Sequence, residues 1–157
     1  AVESKGAAGG DEGYGRGHLY AYQPGRTPGH RVTAIGVLCR LFMGAPLAET
    51  EGGVRWFMEH GGVPQWDGNG GNVDLYYWYY GALCVFQQDA AHKGPLWTRW
   101  NEAMKKALLE NQRKGDPSID GSWEPVGAFS TEWGRVGQTA LAVLCLEVYY
   151  RYNLLTR

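Results

Sequence analysis

The chain of 157 residues fits one domain and is long enough to bury a sizeable core. Its apolar fraction of 44% and net charge of -1 indicate a soluble globular protein, and the near-neutral charge predicts no nucleic-acid partner. No apolar run reaches the roughly 20 residues of a membrane span, and no signal-peptide pattern opens the chain. The compartment therefore stays unknown, and the lack of a disulfide pattern favours a reducing, cytoplasmic location.

The N-terminal part differs in composition from the rest. Residues 1–17 are small, polar and rich in glycine, which predicts a flexible segment, and residues 18–157 are expected to form the domain. The run 18–23 alternates in polarity but is followed at once by PGRTPG, so it predicts a small strand at most.

Hydrophobic periodicity predicts five helices, which gives an all-α fold class. They run from Pro28 or His30 to Met43, from a start between Leu47 and Thr50 to His60, from Val73 to Gln88, from Gly94 to Asn111, and from Arg135 to Tyr152. The first, third and fifth are apolar on nearly every side, which predicts burial all round, whereas the second and fourth are amphipathic. Thr27 and Asn72 are the predicted N-caps of the first and third helices.

An internal repeat relates the three apolar helices. Cys39, Cys84 and Cys145 each follow a Leu, and a small residue (Gly36, Gly81 or Ala142) stands three positions earlier. The spacing of the copies is in the range of a two-helix repeat, and the small residue predicts close helix approach at that level. Each cysteine is expected to behave as a buried small hydrophobe, and no zinc site is predicted.

A glycine-rich turn joins the fourth and fifth helices. The turn begins at Gln112, contains Gly121 and ends at Trp123, and Thr139 follows near the start of the next helix. This pattern resembles the QW-type repeat of the squalene-hopene cyclase and prenyltransferase superfamily of α/α toroids. The stretches YYWYY, WNEAMKKALLENQ and TALAVLCLEVYYRY are similar to bacterial proteins described as prenyltransferase or squalene oxidase repeat proteins of unassigned activity.

The resemblance implies a partial α/α toroid. In that fold apolar helices form an inner ring, amphipathic helices form an outer ring, and about six helix pairs close the circle, so this chain corresponds to about half a ring. An open stack of repeats exposes apolar edges. We therefore expect either self-association or a missing half in a longer chain.

The catalytic motifs of the superfamily have no clear counterpart. The acid motif DxDD is absent, and Asp116 and Asp120 are interpreted as solvated turn residues. The resemblance to zinc-dependent prenyltransferases would need a His beside Cys84 or Cys145, and none is near either in sequence. No metal or other cofactor is predicted, and catalytic residues stay unknown.

The aromatic run YYWYY is the main functional feature of the sequence. Together with polar residues near the starts of the apolar helices, it gives a set of candidate pocket-lining residues. These are Tyr76, Tyr77, Trp78, Tyr80, Asp74, Glu132, Arg135 and Gln138. Aromatic faces stabilise cations and stack against apolar or sugar ligands. The alternative is that the rings only fill a narrow core and the polar groups only cap helices.

Three functions follow from these features. The first is a non-catalytic binding or scaffold module with an aromatic inner face. The second is an isoprenoid-processing enzyme of cyclase or prenyltransferase type, with Tyr77, Trp78 and Tyr80 lining the cavity. The third is a carbohydrate-binding or carbohydrate-active toroid, in which Asp74 and Glu132 would be the paired carboxylates.

Overall fold

The computed structural model describes residues 2–3, 19–68, 70–89 and 94–151. Within these ranges the chain forms five helices: α1 (His30–Phe42), α2 (Leu47–His60), α3 (Leu75–Asp89), α4 (Pro95–Leu109) and α5 (Ser130–Arg151). Two short strands, β1 (Val2–Glu3) and β2 (Tyr20–Ala21), pair antiparallel. The all-α prediction is confirmed, and no helix in the described ranges is both long and apolar enough to cross a membrane.

Helix starts differ from the predicted caps. Gly29, in an extended conformation, occupies the N-cap of α1, so Thr27 does not cap this helix. At the start of α3 the carboxylate of Asp74 accepts the backbone N–H of Tyr77 at 3.0 Å. Asn72 instead donates its backbone N–H to Asp67. Asp74 thus acts as the cap because it stands three residues before the unsatisfied N–H group.

The helices α1, α3 and α5 run in the same direction. Their first turns meet, since Arg31 forms an ion pair with Asp74 and the ring of Tyr76 contacts that of Phe129 at 5.8 Å. At the opposite end the rings of Phe86 and Tyr149 lie 6.5 Å apart. These contacts place the three predicted apolar helices side by side and parallel.

The helices α2 and α4 run the other way. The side-chain amide of Gln88, near the end of α3, donates to the carbonyl of Leu47 at the start of α2 at 2.9 Å. The ring of Phe86 contacts that of Trp97 in the first turn of α4 at 5.1 Å. Consecutive helices therefore form antiparallel hairpins, and α3 packs against each of the other four helices.

Large aromatic side chains fill the space between these helices. Trp78 of α3, Trp100 of α4 and Trp123 of the following turn are almost fully buried, and Phe57 of α2 packs among them. Phe57 and Trp100 contact edge to face, with ring centroids 6.1 Å apart. Burying a large aromatic side chain is among the strongest single contributions to a core.

Two of the three small residues of the repeat, Gly36 and Gly81, permit close approach, but the approaching group is an aromatic ring, which belongs to a helix only at Gly81. A β-carbon on Gly36 would collide with the ring of Tyr20, and one on Gly81 would collide with the ring of Trp100. A ring packed directly against helix backbone requires the absence of a β-carbon there. Gly36 therefore fixes how β2 packs on α1, and Gly81 fixes how α4 packs on α3.

Two predictions about burial are wrong. Only Gln138, Ala142, Cys145 and Val148 of α5 are buried, and the opposite side of this helix is open to solvent. The reason is that, in the described part of the chain, α5 packs mainly on α3 and α4. Cys39 is exposed, whereas Cys84 and Cys145 are buried.

Boundaries of α5 and of the N-terminal segment also differ in detail. The last helix begins at Ser130, and non-helical backbone at Gly134 divides it, so that its longer part starts at the predicted Arg135. Of the predicted flexible segment 1–17, only Val2–Glu3 fall within the described residues, and they form β1. Arg40 and Glu147, which stand inside predicted apolar helices, pair with Glu49 and Arg151 at the surface.

Candidate functional site

Four aromatic rings form a continuous surface where the first turns of α3 and α5 meet. We call Tyr76, Tyr80, Phe129 and Trp133 the four-ring cluster. Tyr76 contacts Tyr80 at 4.8 Å, Phe129 at 5.8 Å and Trp133 at 6.1 Å between ring centroids. Phe129 and Trp133 stack at 4.9 Å with 22° between their planes. The side chain of Phe129 is 40% exposed, and the other three are partly buried.

The loop before α5 holds Phe129 against α3. The backbone N–H of Ala128 donates to the carbonyl of Val73 at 2.9 Å. Gly127 lies against the same carbonyl so closely that a β-carbon would collide with it, and its φ of 81° favours glycine. Beneath the loop, the buried amide of Gln138 donates to the carbonyl of Val126 at 3.0 Å. The position of Phe129 is therefore fixed by backbone contacts on both sides.

The backbone around the two α5 aromatics has conformations that are rare for most residues. Phe129 has a φ of 63°, and it is the one non-glycine residue with positive φ in the described ranges. Gly134 has φ 57° and ψ -163°, a combination that is essentially confined to glycine. Sparsely populated backbone conformations of this kind cost a non-glycine residue about 1–3 kcal/mol, and they are concentrated at binding and catalytic sites. The strain thus sets the orientation of Phe129 next to Trp133.

Charged groups border the cluster on the α1 side. The guanidinium of Arg31 forms an ion pair with Asp74, and its central carbon lies 5.8 Å from the ring centroid of Phe129. Asp74 also caps α3, so this carboxylate is both paired and hydrogen-bonded. Burial, together with the charge of Arg31, lowers the pKa of the neighbouring His30. The cluster therefore has a polar border with the positive charge already compensated.

Tyr76 and Tyr80 provide hydroxyl groups within the cluster. Burial, followed by the interaction with Tyr80, raises the pKa of Tyr76 above its ordinary value. The hydroxyl therefore stays protonated at neutral pH and can donate or accept a hydrogen bond. The surface combines apolar ring faces with neutral polar atoms.

Tyr77 and Trp78 lie in the core and do not belong to this surface. The hydroxyl of Tyr77 is 2.8 Å from the carbonyl of Phe57 and 2.9 Å from that of Gly62. Burial raises the pKa of this hydroxyl strongly, so it remains a donor. The ring of Trp78 packs edge to face on that of Trp66 at 6.4 Å. The predicted pocket residues thus divide: Tyr76 and Tyr80 face the cluster, whereas Tyr77 and Trp78 fill the interior.

The polar candidates on α5 also separate. Arg135 forms an ion pair with Glu124 at 2.7 Å, and Arg113 binds the other carboxylate oxygen of Glu124 at 3.1 Å. Gln138 is buried beneath the loop, as described above. Glu132 is exposed and accepts a hydrogen bond from the hydroxyl of Thr131 at 2.8 Å. Arg135 and Gln138 therefore brace the turn before α5.

The four residues of the predicted repeat motif converge on one turn. The amide of Gln112 donates to the carbonyl of Gly121 at 2.9 Å. The indole N–H of Trp123 donates to the carbonyl of Leu108 at 2.8 Å, and its backbone N–H donates to the hydroxyl of Thr139 at 3.3 Å. Trp123 thus joins the end of α4 to α5.

The acidic residues of the same turn are structural. Asp116 accepts two hydrogen bonds from Ser118, and Asp120 accepts the backbone N–H of Gly115 at 2.8 Å. The hydrogen bonds from Ser118 lower the pKa of Asp116, which stays ionised and exposed. Both carboxylates stabilise turn backbone, as side chains of this kind commonly do.

No group of three or more His, Cys, Asp or Glu side chains is placed to hold a metal within the described ranges. Cys84 and Cys145 are fully buried thiols whose pKa values are raised by burial. His30 contacts the ring of Tyr77 at 4.7 Å, and His60 stacks on Trp56 at 4.2 Å. His18 and His92 lie outside the described residues.

Compared with protein-family models, with curated proteins and with solved structures, the chain matches none.

The sequence analysis did not include Phe129 and Trp133 among the candidate site residues. The available signal was an aromatic pair at i and i+4 between Gly127 and Gly134. Such a pair lies on one side of a helix turn, and flanking glycines permit unusual backbone.

Proposed function

We propose that the chain is a non-catalytic binding module of the α/α-toroid repeat type, and that the four-ring cluster binds carbohydrate. The observation that carries the proposal is the continuous, partly exposed surface of Tyr76, Tyr80, Phe129 and Trp133 held in place by strained backbone. The two-layer arrangement of parallel and antiparallel helices supports the repeat part of the proposal.

The chemistry of the cluster favours a ligand with both apolar faces and hydroxyl groups. Ring faces pack against the C–H faces of a sugar, while the hydroxyls of Tyr76 and Tyr80 exchange hydrogen bonds with sugar hydroxyls. The Arg31–Asp74 pair at the border adds a donor and an acceptor with little net charge. A neutral oligosaccharide matches this combination.

Two other ligand classes fit less well. A cationic ligand would compete with Arg31, whose guanidinium already lies over Phe129. An isoprenoid substrate needs a dry cavity lined by aromatic faces, but Tyr77 and Trp78 are packed in the core. The burial of these two residues weighs against the isoprenoid alternative.

The test is binding of soluble oligosaccharides by isothermal titration calorimetry. Cello-, xylo-, malto- and chito-oligosaccharides are titrated in turn, and farnesol is titrated under the same conditions. We expect at least one oligosaccharide series to bind the wild-type protein. Trp133→Ala should weaken that binding at least about tenfold, equivalent to about 1.4 kcal/mol.

A matched control separates the cluster from general apolar surface. Leu109→Ala removes another exposed apolar side chain, at the end of α4 and outside the cluster, and should leave the affinity unchanged. Binding of farnesol alone, or equal losses in Trp133→Ala and Leu109→Ala, would refute carbohydrate binding at the cluster.

A further inference from the structure

One face of α5 is apolar and open to solvent. Val136, Val143 and Tyr150 are 84%, 41% and 87% exposed, and Ala140 is also exposed. With Glu147 they form a row at alternating spacings of four and three residues, here called the edge row. This spacing places all five on one side of the helix and is the pattern by which helices pack together.

The geometry points to a second copy of this chain as the occupant: we propose that two copies pair antiparallel through their edge rows. The row is nearly symmetric about Val143: Val136 and Tyr150 lie seven residues to either side of it, and Ala140 and Glu147 lie three and four residues from it. In an antiparallel pair centred there, Val143 meets its own equivalent, Ala140 faces Glu147, and Val136 faces Tyr150. A two-fold axis brings the same patch of both copies together, so it requires this self-complementarity.

The charge in the edge row is compatible with such pairing. The carboxylate of Glu147 forms an ion pair with Arg151 of the same helix at 2.8 Å, and both groups are partly exposed. Opposite Glu147, Ala140 is small enough to leave the carboxylate at the rim of the contact. No unpaired charge is buried, and antiparallel helices also place their dipoles in a favourable orientation.

The size of the edge row sets the strength of the pairing. From Val136 to Tyr150 an α-helix rises about 21 Å, and its width with side chains is about 10–12 Å. The area covered falls below the roughly 1,200 Å² at which stable complexes begin. We therefore expect a reversible dimer with a dissociation constant between about 1 μM and about 500 μM.

Sedimentation equilibrium from about 5 μM to about 500 μM tests the association. We expect the average mass to rise from that of one chain towards that of two. Val143→Glu puts two like charges on the two-fold axis and should raise the dissociation constant at least about tenfold. Leu109→Glu adds the same charge to an exposed position of α4 and should leave it unchanged. A single-chain mass throughout, or equal effects of both substitutions, would overturn the proposal.

Cysteine cross-linking tests the arrangement independently of the dimer strength. In a Cys39→Ser background, which removes the exposed thiol, Val143→Cys should form a disulfide-linked dimer on mild oxidation. Facing α-carbons on the axis lie about 4–5 Å apart at ordinary helix spacing, within disulfide range. Val136→Cys should not cross-link, because the two equivalent residues lie about 21 Å apart along the helices. Cross-linking at position 136 but not at 143 would refute antiparallel pairing.

Discussion

Replacing Gly127 with alanine tests the contact that positions the four-ring cluster. A β-carbon there would collide with the carbonyl oxygen of Val73, and the backbone of this buried residue, just before α3, cannot retreat cheaply. The loop must move instead, which breaks the 2.9 Å hydrogen bond from Ala128 to the same carbonyl. Phe129, which directly follows Ala128 in the chain, then loses its position against Tyr76.

The expected magnitude has two parts. Placing a side chain at a φ of 81° costs about 1–2 kcal/mol. Loss of the hydrogen bond from Ala128 adds about 1 kcal/mol. The free energy of unfolding of Gly127→Ala should therefore fall by about 2–3 kcal/mol.

Gly115→Ala is the matched control. Gly115 has a φ of 86°, but nothing lies within 4 Å of the position its β-carbon would take. Like Gly127→Ala, Gly115→Ala places a side chain at positive φ and reduces the conformational entropy of the unfolded chain, but its β-carbon collides with nothing. The difference between the two variants isolates the contact between the loop and Val73.

Urea denaturation followed by far-UV circular dichroism measures both free energies, and near-UV circular dichroism reports the aromatic environment. We expect Gly127→Ala to lose at least about 1 kcal/mol more than Gly115→Ala and to change the near-UV signal. Equal losses with unchanged near-UV spectra would show that the loop does not lie against Val73.

Three other changes test the core and its titration. Trp123→Ala should cost about 3–5 kcal/mol in the free energy of unfolding; unchanged thermal stability would contradict its buried position. Burial raises the pKa of Tyr77 above its ordinary value of 10.0, and it raises the pKa values of Cys84 and Cys145 above 9.0. As the pH rises, the unfolded chain therefore loses these protons at a lower pH than the folded protein does. Stability should fall as the pH rises above about 9, and Tyr77→Phe should flatten the part above pH 10. Burial lowers the pKa of His30 below 6.5, so the unfolded chain binds the proton more readily and stability should fall on acidification below pH 6.5. Urea titrations should show that His30→Gln loses less free energy of unfolding on acidification than the wild-type protein does. Identical pH profiles of the two proteins would contradict the lowered pKa of His30.

Helix positions could be predicted because their causes are local. Apolar periodicity fixed the five helices to within a few residues at most ends, and glycines at Gly44 and Gly61 ended α1 and α2 close to the predicted sites. The longer part of α5 begins at the predicted Arg135, directly after the break at Gly134, whereas the short turn Ser130–Trp133 before the break was not predicted. The contact of Phe129 with Tyr76 of α3 depends on tertiary packing, which apolar periodicity does not report.

Burial was harder to predict than secondary structure. An apolar helix is buried only where other elements cover it, and the composition of α5 contains no information about which side is covered. The same reason explains Cys39, which occupies the repeat position of two buried cysteines but is exposed among the described residues. The division between Tyr76 and Tyr77 likewise follows from packing: adjacent residues on a helix point about 100° apart.

The central position of α3 has a consequence for how the chain folds. The hairpins α1–α2 and α4–α5 both pack on this helix, which contacts each of the other four helices. Removing either hairpin would expose a face of α3 that carries buried side chains such as Trp78 and Phe86. Partial opening therefore costs nearly as much as complete unfolding, and the domain should unfold as one cooperative unit. Hydrogen exchange of α3 amides would then occur through the same global event that releases the hairpins on both sides.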